Sequence, residues 1–386
     1  MYQPDGYIQT GSEHLVCKLK KSLYGLKQAP RCWNMKFQNC MELLGFSQTA
    51  DPCVYVRTGN TIAVVAVYVD DLILTTKTPE EMEELKSMMT AQFKMKDMGK
   101  LHYCLGVSVD HDEQQKCVWI HQKQYILNML QKYGLLEAKT VSTPADLSVR
   151  LQKNDGVSKP VNPIQYQSIV GSLLYIAIAT RPDIAQAVGA VSKFNSMPTE
   201  AHMTAVKRIL RYLKGTMNLA LKYQQSENGM LIGYSDADWA NDPDDRHSTT
   251  GNLFMMSGAA VSWLSKKQST VALSTSEAEY IALSTATQEA MWFRRLLCDL
   301  GISNDDPTTL MEDNQGAIAI ARTSCHHART KHIDIRYHYV REAVQERCIE
   351  LKYCSSHDMI ADILTKPLSG EQLKRLRRAM GLDVLD

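Results

Sequence analysis

Asp70 and Asp71 stand side by side in TIAVVAVYVDDLILTT, residues 61 to 76, an otherwise apolar run in which adjacent like charges repel. The flanks are β-branched and apolar, so the segment reads as two strands meeting at a tight acidic turn with both carboxylates at its tip. A hard divalent cation such as Mg²⁺, which takes one or two carboxylates plus substrate phosphates, would relieve the repulsion and serve phosphoryl transfer. An ordinary exposed turn is the alternative, because Asp is a common turn former. Glu279 is a second acid in an unusual place. On a helix expected from about Ser276 to Leu300, steps of 100° put it within about 60° of Ala282, Leu283, Ala286, Ala290, Phe293 and Leu297, in the middle of the apolar stripe. An acid there carries a large desolvation cost unless a cation or donors meet it. Glu277 falls nearly opposite, towards water, and with Ser274 reads as a capping box.

Other acids are less decided. Asp236 and Asp238 lie two apart on the strand MLIGYSDADWA, so they share a face and periodicity does not choose between them. Asp242, Asp244 and Asp245 follow in a loop and read as solvated turn residues. Asp313 ends the strand TTLMED, where it would either cap the next helix or present a ligand at a sheet edge.

The elements that must carry these residues alternate in type along 386 residues, enough for two or three domains, and 44% apolar content supports packed cores. Residues 1–118 combine short β-rich runs with the charged helix PEEMEELKSMMTAQF, whose Pro79 suits a first turn. Residues 119–227 are mainly helical, and a polar, turn-rich stretch from 222 to 229 closes them. Residues 228–386 read strand, strand, strand, long helix, strand, helix, strand, helix, which implies an antiparallel meander extended by helix crossovers into a mixed sheet. The fold class expected is therefore multidomain α+β and α/β. A formal net charge of +1 does not announce a nucleic-acid partner, but Lys207, Arg208, Arg211 and Lys214 meet no acid nearby in sequence and form a basic helical face. Ten cysteines without a close CxxC pair argue against a zinc ribbon and for a reducing compartment. No apolar leader opens the chain, and SIVGSLLYIAIA is too short to span a bilayer before Arg181. A soluble, intracellular protein with no membrane partner is expected.

Longer words narrow the reading. Tyr68-Val69-Asp70-Asp71 resembles the Tyr-X-Asp-Asp hairpin of reverse transcriptases, and SLYGLKQAPRCW, residues 22 to 33, resembles the template-handling loop of the same family. With YSDADWAND, STSEAEYIALS, DNQGAIAIA and ADILTKPL following in family order, the chain resembles the Pol polyprotein of copia-type retrotransposons over nearly its whole length. The resemblance implies a truncated reverse transcriptase palm, a helical thumb and connection, and a ribonuclease H domain. It selects Asp236 over Asp238, adds Asp313, and makes Asp362 a fourth metal ligand beside Glu279, although pattern alone would place Asp362 on a helical solvent face. It also implies that Tyr68 lies against the primer terminus, that Gly25, Gln28 and Arg31 shape the templating strand, and that Asp70 and Asp71 bind metal.

From these follow the expected activity, hydrolysis of RNA in RNA–DNA hybrids with two Mg²⁺ ions, Mn²⁺ being an alternative, and the expected partners, hybrid and primer–template, with other Pol regions or a second copy. The basic face and Arg329 with Lys331 would touch phosphates. Localisation by resemblance is cytoplasmic, in a virus-like particle, or nuclear. The cluster Cys325, His326, His327, His332 and His338 has no standard zinc spacing, and His357 is at most an auxiliary group. Copia-type polymerases carry their first catalytic acid upstream of the loop at 22 to 33. Because the chain opens at MYQPDGY, the expectation is a fragment without that acid or the fingers. The alternatives are a silent nucleic-acid-binding remnant and a start placed inside a longer frame.

Overall fold

The computed structural model describes the chain except residues 60, 154–155, 226–228, 303–304, 323–333 and 386, and of residues 334–337 the backbone alone. Two compact units are present: residues 1–98 with 295–303, and residues 99–294 with 304–386.

In the first unit a four-stranded antiparallel sheet, ordered β1 (Ser47–Gln48), β2 (Val54–Arg57), β3 (Ala63–Tyr68), β4 (Asp71–Thr75), packs against α1 (Ala29–Leu43) and α2 (Pro79–Gln92). Alternation along β3 turns Ala63 and Val65 into a core with Phe37, Met41, Tyr55, Leu85 and Met89. Pro79 opens α2 as expected, and Thr78 and Glu81 exchange the two bonds of a capping box. The acidic turn between β3 and β4 is there: Tyr68 pairs with Asp71, and Val69 takes a φ of 54° at the tip.

The second unit holds two five-stranded sheets. One is antiparallel and joins distant segments: β5 (Tyr103–Cys104), β6 (Val107–Asp112) and β7 (Cys117–His121) continue through β8 (Leu219–Gln224) to a strand at Leu382–Val384. Between β7 and β8 run α3 (Lys123–Lys132), α4 (Pro163–Ala179), α5 (Ala185–Ser192) and α6 (Glu200–Gly215). Leu173, Ile176, Leu210 and Leu213 from these helices share a core with Leu364 and Leu376 near the C-terminus. At the end of α4, Arg181 is 1% exposed and pairs with Asp183, which also accepts a hydrogen bond from the Tyr212 hydroxyl at 2.6 Å. No described helix is long and apolar enough to cross a membrane.

The other sheet carries the meander and crossovers expected from sequence. β9 (Ile232–Ala237), β10 (Thr249–Met256) and β11 (Ala259–Lys267) are antiparallel, and β12 (Thr308–Glu312) lies parallel to both β9 and β13 (Ile349–Tyr353), giving the order β11-β10-β9-β12-β13. The strand at Leu382–Val384 is β14. α7 (Thr275–Asp299), α8 (Gln315–Arg322) and α9 (Asp334–Gln345) fill the connections, and a 3₁₀ turn at Ile360–Leu364 precedes α10 (Gly370–Ala379). The multidomain α+β and α/β organisation anticipated from the chain, with an antiparallel meander extended by helix crossovers into a mixed sheet, is the fold observed.

Candidate metal centre

Asp236 sits one residue from the end of β9 and is 2% exposed. Its partner in register on β10 is Gly251. A Cβ at Gly251 would lie 2.6 Å from Thr365 Cγ2 and 3.0 Å from the Ala361 carbonyl, so only glycine lets the Ile360–Leu364 turn rest on β10. That close approach brings Thr365 to Asp236, whose Oδ2 accepts a short hydrogen bond from the threonine hydroxyl. β12 runs parallel to β9 and ends beside it, so Asp313, the next residue, projects at the same sheet edge. Asp313 does not cap α8. Asn314 does, accepting from the Ala317 amide at 2.9 Å, while Asp313 Oδ2 accepts from the Ser356 hydroxyl at 2.7 Å.

Glu279 enters from the first turns of α7. The stripe computed from its periodicity is buried as a whole: Ala282, Leu283, Ala286 and Ala290 are fully enclosed, and Phe293 and Leu297 nearly so. One carboxylate oxygen from each of Asp236, Glu279 and Asp313 lies within 4.8 Å of the others. Although Glu279 is only 7% exposed, its Oε2 has no hydrogen-bond partner. Burial, then the charges of Asp236, Glu312 and Asp313, push the Glu279 carboxyl up to about 11. Burial and the Asp362 charge push Asp236 up to about 7, against the attraction of Lys366. Three converging carboxylates and an orphaned buried oxygen are what a divalent cation would satisfy, so the residues fit Mg²⁺ or Mn²⁺.

The fourth acid stands differently. Asp362 lies in the 3₁₀ turn and is 2% exposed, so the helical solvent face that its pattern suggested is not where it sits. It does not join the three-residue cluster; its Oδ1 is 2.6 Å from Lys366 Nζ. Sequence reasoning passed over Lys366 and Thr365, although Lys366 follows Asp362 at the i,i+4 spacing typical of ion pairs. It also passed over Glu312, fully buried beside Asp313, whose Oε1 accepts from the Asn314 amide at 3.2 Å and whose Oε2 is unpartnered. Burial raises Glu312 well above the ordinary carboxylate range.

Two further expectations need correction. Glu277 does not face water: it is 9% exposed, its amide donates to the Ser274 hydroxyl, and its carboxylate accepts from the Leu273 amide. Asp242 is not a solvated turn residue. It is 7% exposed, and against the cost of burial its ion pairs with Lys267 and Lys193 hold it well below the usual carboxylate range. Asp238, just beyond β9, stays outside the cluster and is pushed up to about 6 by burial, partly offset by the Thr249 amide it accepts.

In the first unit Asp70 and Asp71 are both exposed at the hairpin tip, and Tyr68 is 60% exposed beside them. The tip is tied to α1 by Trp33, whose indole N–H donates to the Val69 carbonyl at 3.0 Å. Among the described residues no third metal-ligating side chain forms a cluster with this pair. Gly25, at a φ of 88°, and Gln28 and Arg31, at the start of α1, are exposed. On α6, three of the four basic residues are engaged with the loop between α3 and α4. Arg208 pairs with Asp146 and bonds to Thr143, Arg211 donates to the Lys139 carbonyl, and Lys214 donates to the Ala138 carbonyl. Lys207 is exposed. His357 is exposed and bonded to Asp358. Arg329, Lys331 and the Cys325, His326, His327 and His332 cluster lie outside the described residues; His338 is exposed.

The reverse transcriptase (RNA-dependent DNA polymerase) family matches residues 1–146. The chain is 41% identical over 390 residues to the retrovirus-related Pol polyprotein from transposon TNT 1-94 of Nicotiana tabacum, an alignment covering 99% of this chain and 29% of that protein. It is 33% identical over 291 residues to the putative transposon Ty5-1 protein of Saccharomyces cerevisiae, covering 74% of this chain and 94% of that one. A solved structure of the foamy viral protease-reverse transcriptase in complex with RNA/DNA hybrid covers 86% of this chain and 39% of its own, at 13% identity and a TM-score of 0.47. The chain thus spans less than a third of the length of the tobacco relative.

Proposed function

This chain belongs to the copia-type retrotransposon Pol polyproteins, and on that premise we propose that its C-terminal sheet is a ribonuclease H domain that hydrolyses the RNA strand of an RNA–DNA hybrid at a divalent-metal centre. The observation that carries the reading is the convergence of Asp236, Glu279 and Asp313 within 4.8 Å around an orphaned buried oxygen of Glu279. Divalent ions held there would activate a water and stabilise the leaving oxygen of the sugar–phosphate backbone. The chain's own groups prepare the site. Thr365 fixes the Asp236 carboxylate and Ser356 fixes that of Asp313, so two ligands are oriented before any ion arrives. Asp362 lies beside them as a fourth carboxylate. Sequence-independent recognition would use hybrid shape, phosphates and 2′-hydroxyls, with Lys207 and its neighbours on α6, and Arg329 and Lys331, as candidate phosphate contacts.

The hairpin supports a second, weaker reading as half of a polymerase centre, with Asp70 and Asp71 as metal ligands, Tyr68 against the primer, and Gly25, Gln28 and Arg31 near the template. The test is direct. Purified chain incubated with labelled hybrid and Mg²⁺ or Mn²⁺ is expected to cut the RNA strand, with little primer extension. RNA that stays intact under both ions overturns the nuclease reading in favour of a silent nucleic-acid-binding remnant, and efficient extension promotes the polymerase reading.

A further inference from the structure

The turn that delivers Asp362 also delivers a cation. Lys366, four residues on, folds back so that Nζ lies 2.6 Å from Asp362 Oδ1. The carboxylate end of this pair is buried, with a side-chain exposure of 3%, whereas the lysine keeps 42% and so has an open route to solvent. The charges of Asp236 and Asp313 also favour the charged form of this lysine. Among the described residues Asp236, Glu279 and Asp313 have no ion pair, and their oxygens converge; Asp362 has one and stays outside. An acid that already holds an ammonium 2.6 Å away offers an ion less than acids that hold none, and a divalent ion brought to Asp362 would be repelled by Lys366 while the pair stays closed.

We propose that Lys366 is a built-in counter-ion for Asp362, so that the chain alone holds one divalent cation, at Asp236, Glu279 and Asp313, and accepts a second only when the Lys366–Asp362 pair opens. This rests on the metal reading above and gives Lys366 a positioning role: it decides whether Asp362 is available as a ligand. The i,i+4 geometry lets the lysine swing away without moving the turn, since the Asp362 amide donates to the Met359 carbonyl, the Thr365 amide to the Asp362 carbonyl, and the Thr365 hydroxyl to Asp236.

Mn²⁺ binding to the full chain without nucleic acid, counted by electron paramagnetic resonance of the free ion, tests the idea. Wild type is expected to hold one tight ion. Lys366→Met and Lys366→Gln are expected to hold two, the second at least about tenfold tighter than any second ion of wild type, and Lys366→Arg to hold one. Asp362→Asn, which removes the paired acid and leaves the three-carboxylate cluster, is expected to keep the one tight ion even where the lysine variants fold poorly. Two comparably tight ions in wild type, an unchanged count in both neutral lysine variants, or loss of the tight ion in Asp362→Asn would overturn the proposal. Asp236→Asn separates the two claims: it should abolish tight binding in every background, and if no form of the chain binds Mn²⁺ the metal reading falls first and this proposal with it.

Discussion

The chain carries acids in two settings, and their surroundings make them different chemical objects. At the β3–β4 tip Asp70 and Asp71 face water, which screens their repulsion and lets the turn exist without any ion. At the end of β9 Asp236, Glu279 and Asp313 face one another, and burial pushes Asp236 and Glu279 far above the ordinary carboxylate range. An exposed pair tolerates a cation; a buried cluster requires one or else holds protons. Burial, more than the identity or spacing of the acids, separates a candidate catalytic centre from an acidic turn.

The sharpest break of that contrast is chemical. Asp236→Asn keeps the shape and the Thr365 contact but removes the central ligand charge, and hybrid cleavage should fall by about 10³-fold or more, an order set by the metal's contribution to the transition state. Cleavage within a few-fold of wild type would put the nuclease centre elsewhere.

The next effect is thermodynamic. Because Asp236, Glu279 and Glu312 have folded-state values above their unfolded ones, the native chain binds more protons than the unfolded chain as pH rises from about 4. Their contribution is therefore fully present below the unfolded values and is lost as pH rises towards about 7 for Asp236 and about 11 for Glu279. Metal-free protein should lose stability between pH 5 and 7, by at most about 1.4 kcal/mol per pH unit for each group. Denaturant melts with EDTA and with excess Mg²⁺ measure the slope and its expected flattening by the ion. Glu279→Gln should be more stable than wild type at pH 7 without metal, by about 1–3 kcal/mol, the gap closing near pH 4. Asp70→Asn should leave the midpoint where it is under both conditions; an equal gain there would erase the distinction between the two settings.

A structural perturbation comes third. Gly251→Ala places a methyl against Thr365 and the Ala361 carbonyl, so the Ile360–Leu364 turn must shift. We expect about 1–3 kcal/mol of destabilisation together with weaker metal protection, because the same turn carries Asp362, Thr365 and Lys366. Lost stability with unchanged metal protection would show that the turn is scaffolding only.

These experiments fall on features that were unequally visible in the chain. A β-branched apolar run announced β3, the succession of strand-like and helical stretches announced β9 to β13 and α7, and the apolar stripe of period 3.6 alone identified Glu279 as an acid on a buried face. The pairing of β7 with β8 and of β8 with β14 was not legible, since segments about 100 and 160 residues apart meet through hydrogen bonds that no local pattern encodes. The buried state of Asp362 was hidden for a related reason: it depends on a missing side chain at Gly251, more than 100 residues earlier. Glu277 and Asp242 were misplaced because local turn and helix geometry says which way a side chain leaves the backbone, but not whether Lys193, Lys267 or a neighbouring loop then covers it. Glu312 escaped because a strand-end acid next to a stronger candidate looks redundant until its burial is seen.

The smallest expected effect concerns α6, where the basic face divides on the same criterion of exposure. Arg208, Arg211 and Lys214 spend their donors on Thr143, Asp146, Lys139 and Ala138, so these side chains hold the loop before α4 and are poorly placed to follow phosphates as well. Arg208→Ala should therefore act mainly on stability, lowering it by about 1 kcal/mol through lost charge-assisted bonds, with little change in the salt dependence of hybrid binding. Lys207 is exposed and should behave oppositely: its replacement by Ala is expected to leave the melting curve unchanged and to reduce the slope of log affinity against log salt by about 0.7–0.9. Fluorescence anisotropy at several salt concentrations, run on both variants with melts in parallel, distinguishes the two roles. If both variants change the salt slope equally, the loop contacts of Arg208 give way to phosphate on binding, and the whole α6 face acts as a nucleic-acid surface. If neither does, the hybrid is held by other residues, and the basic run that stood out in the sequence serves only to pin a loop.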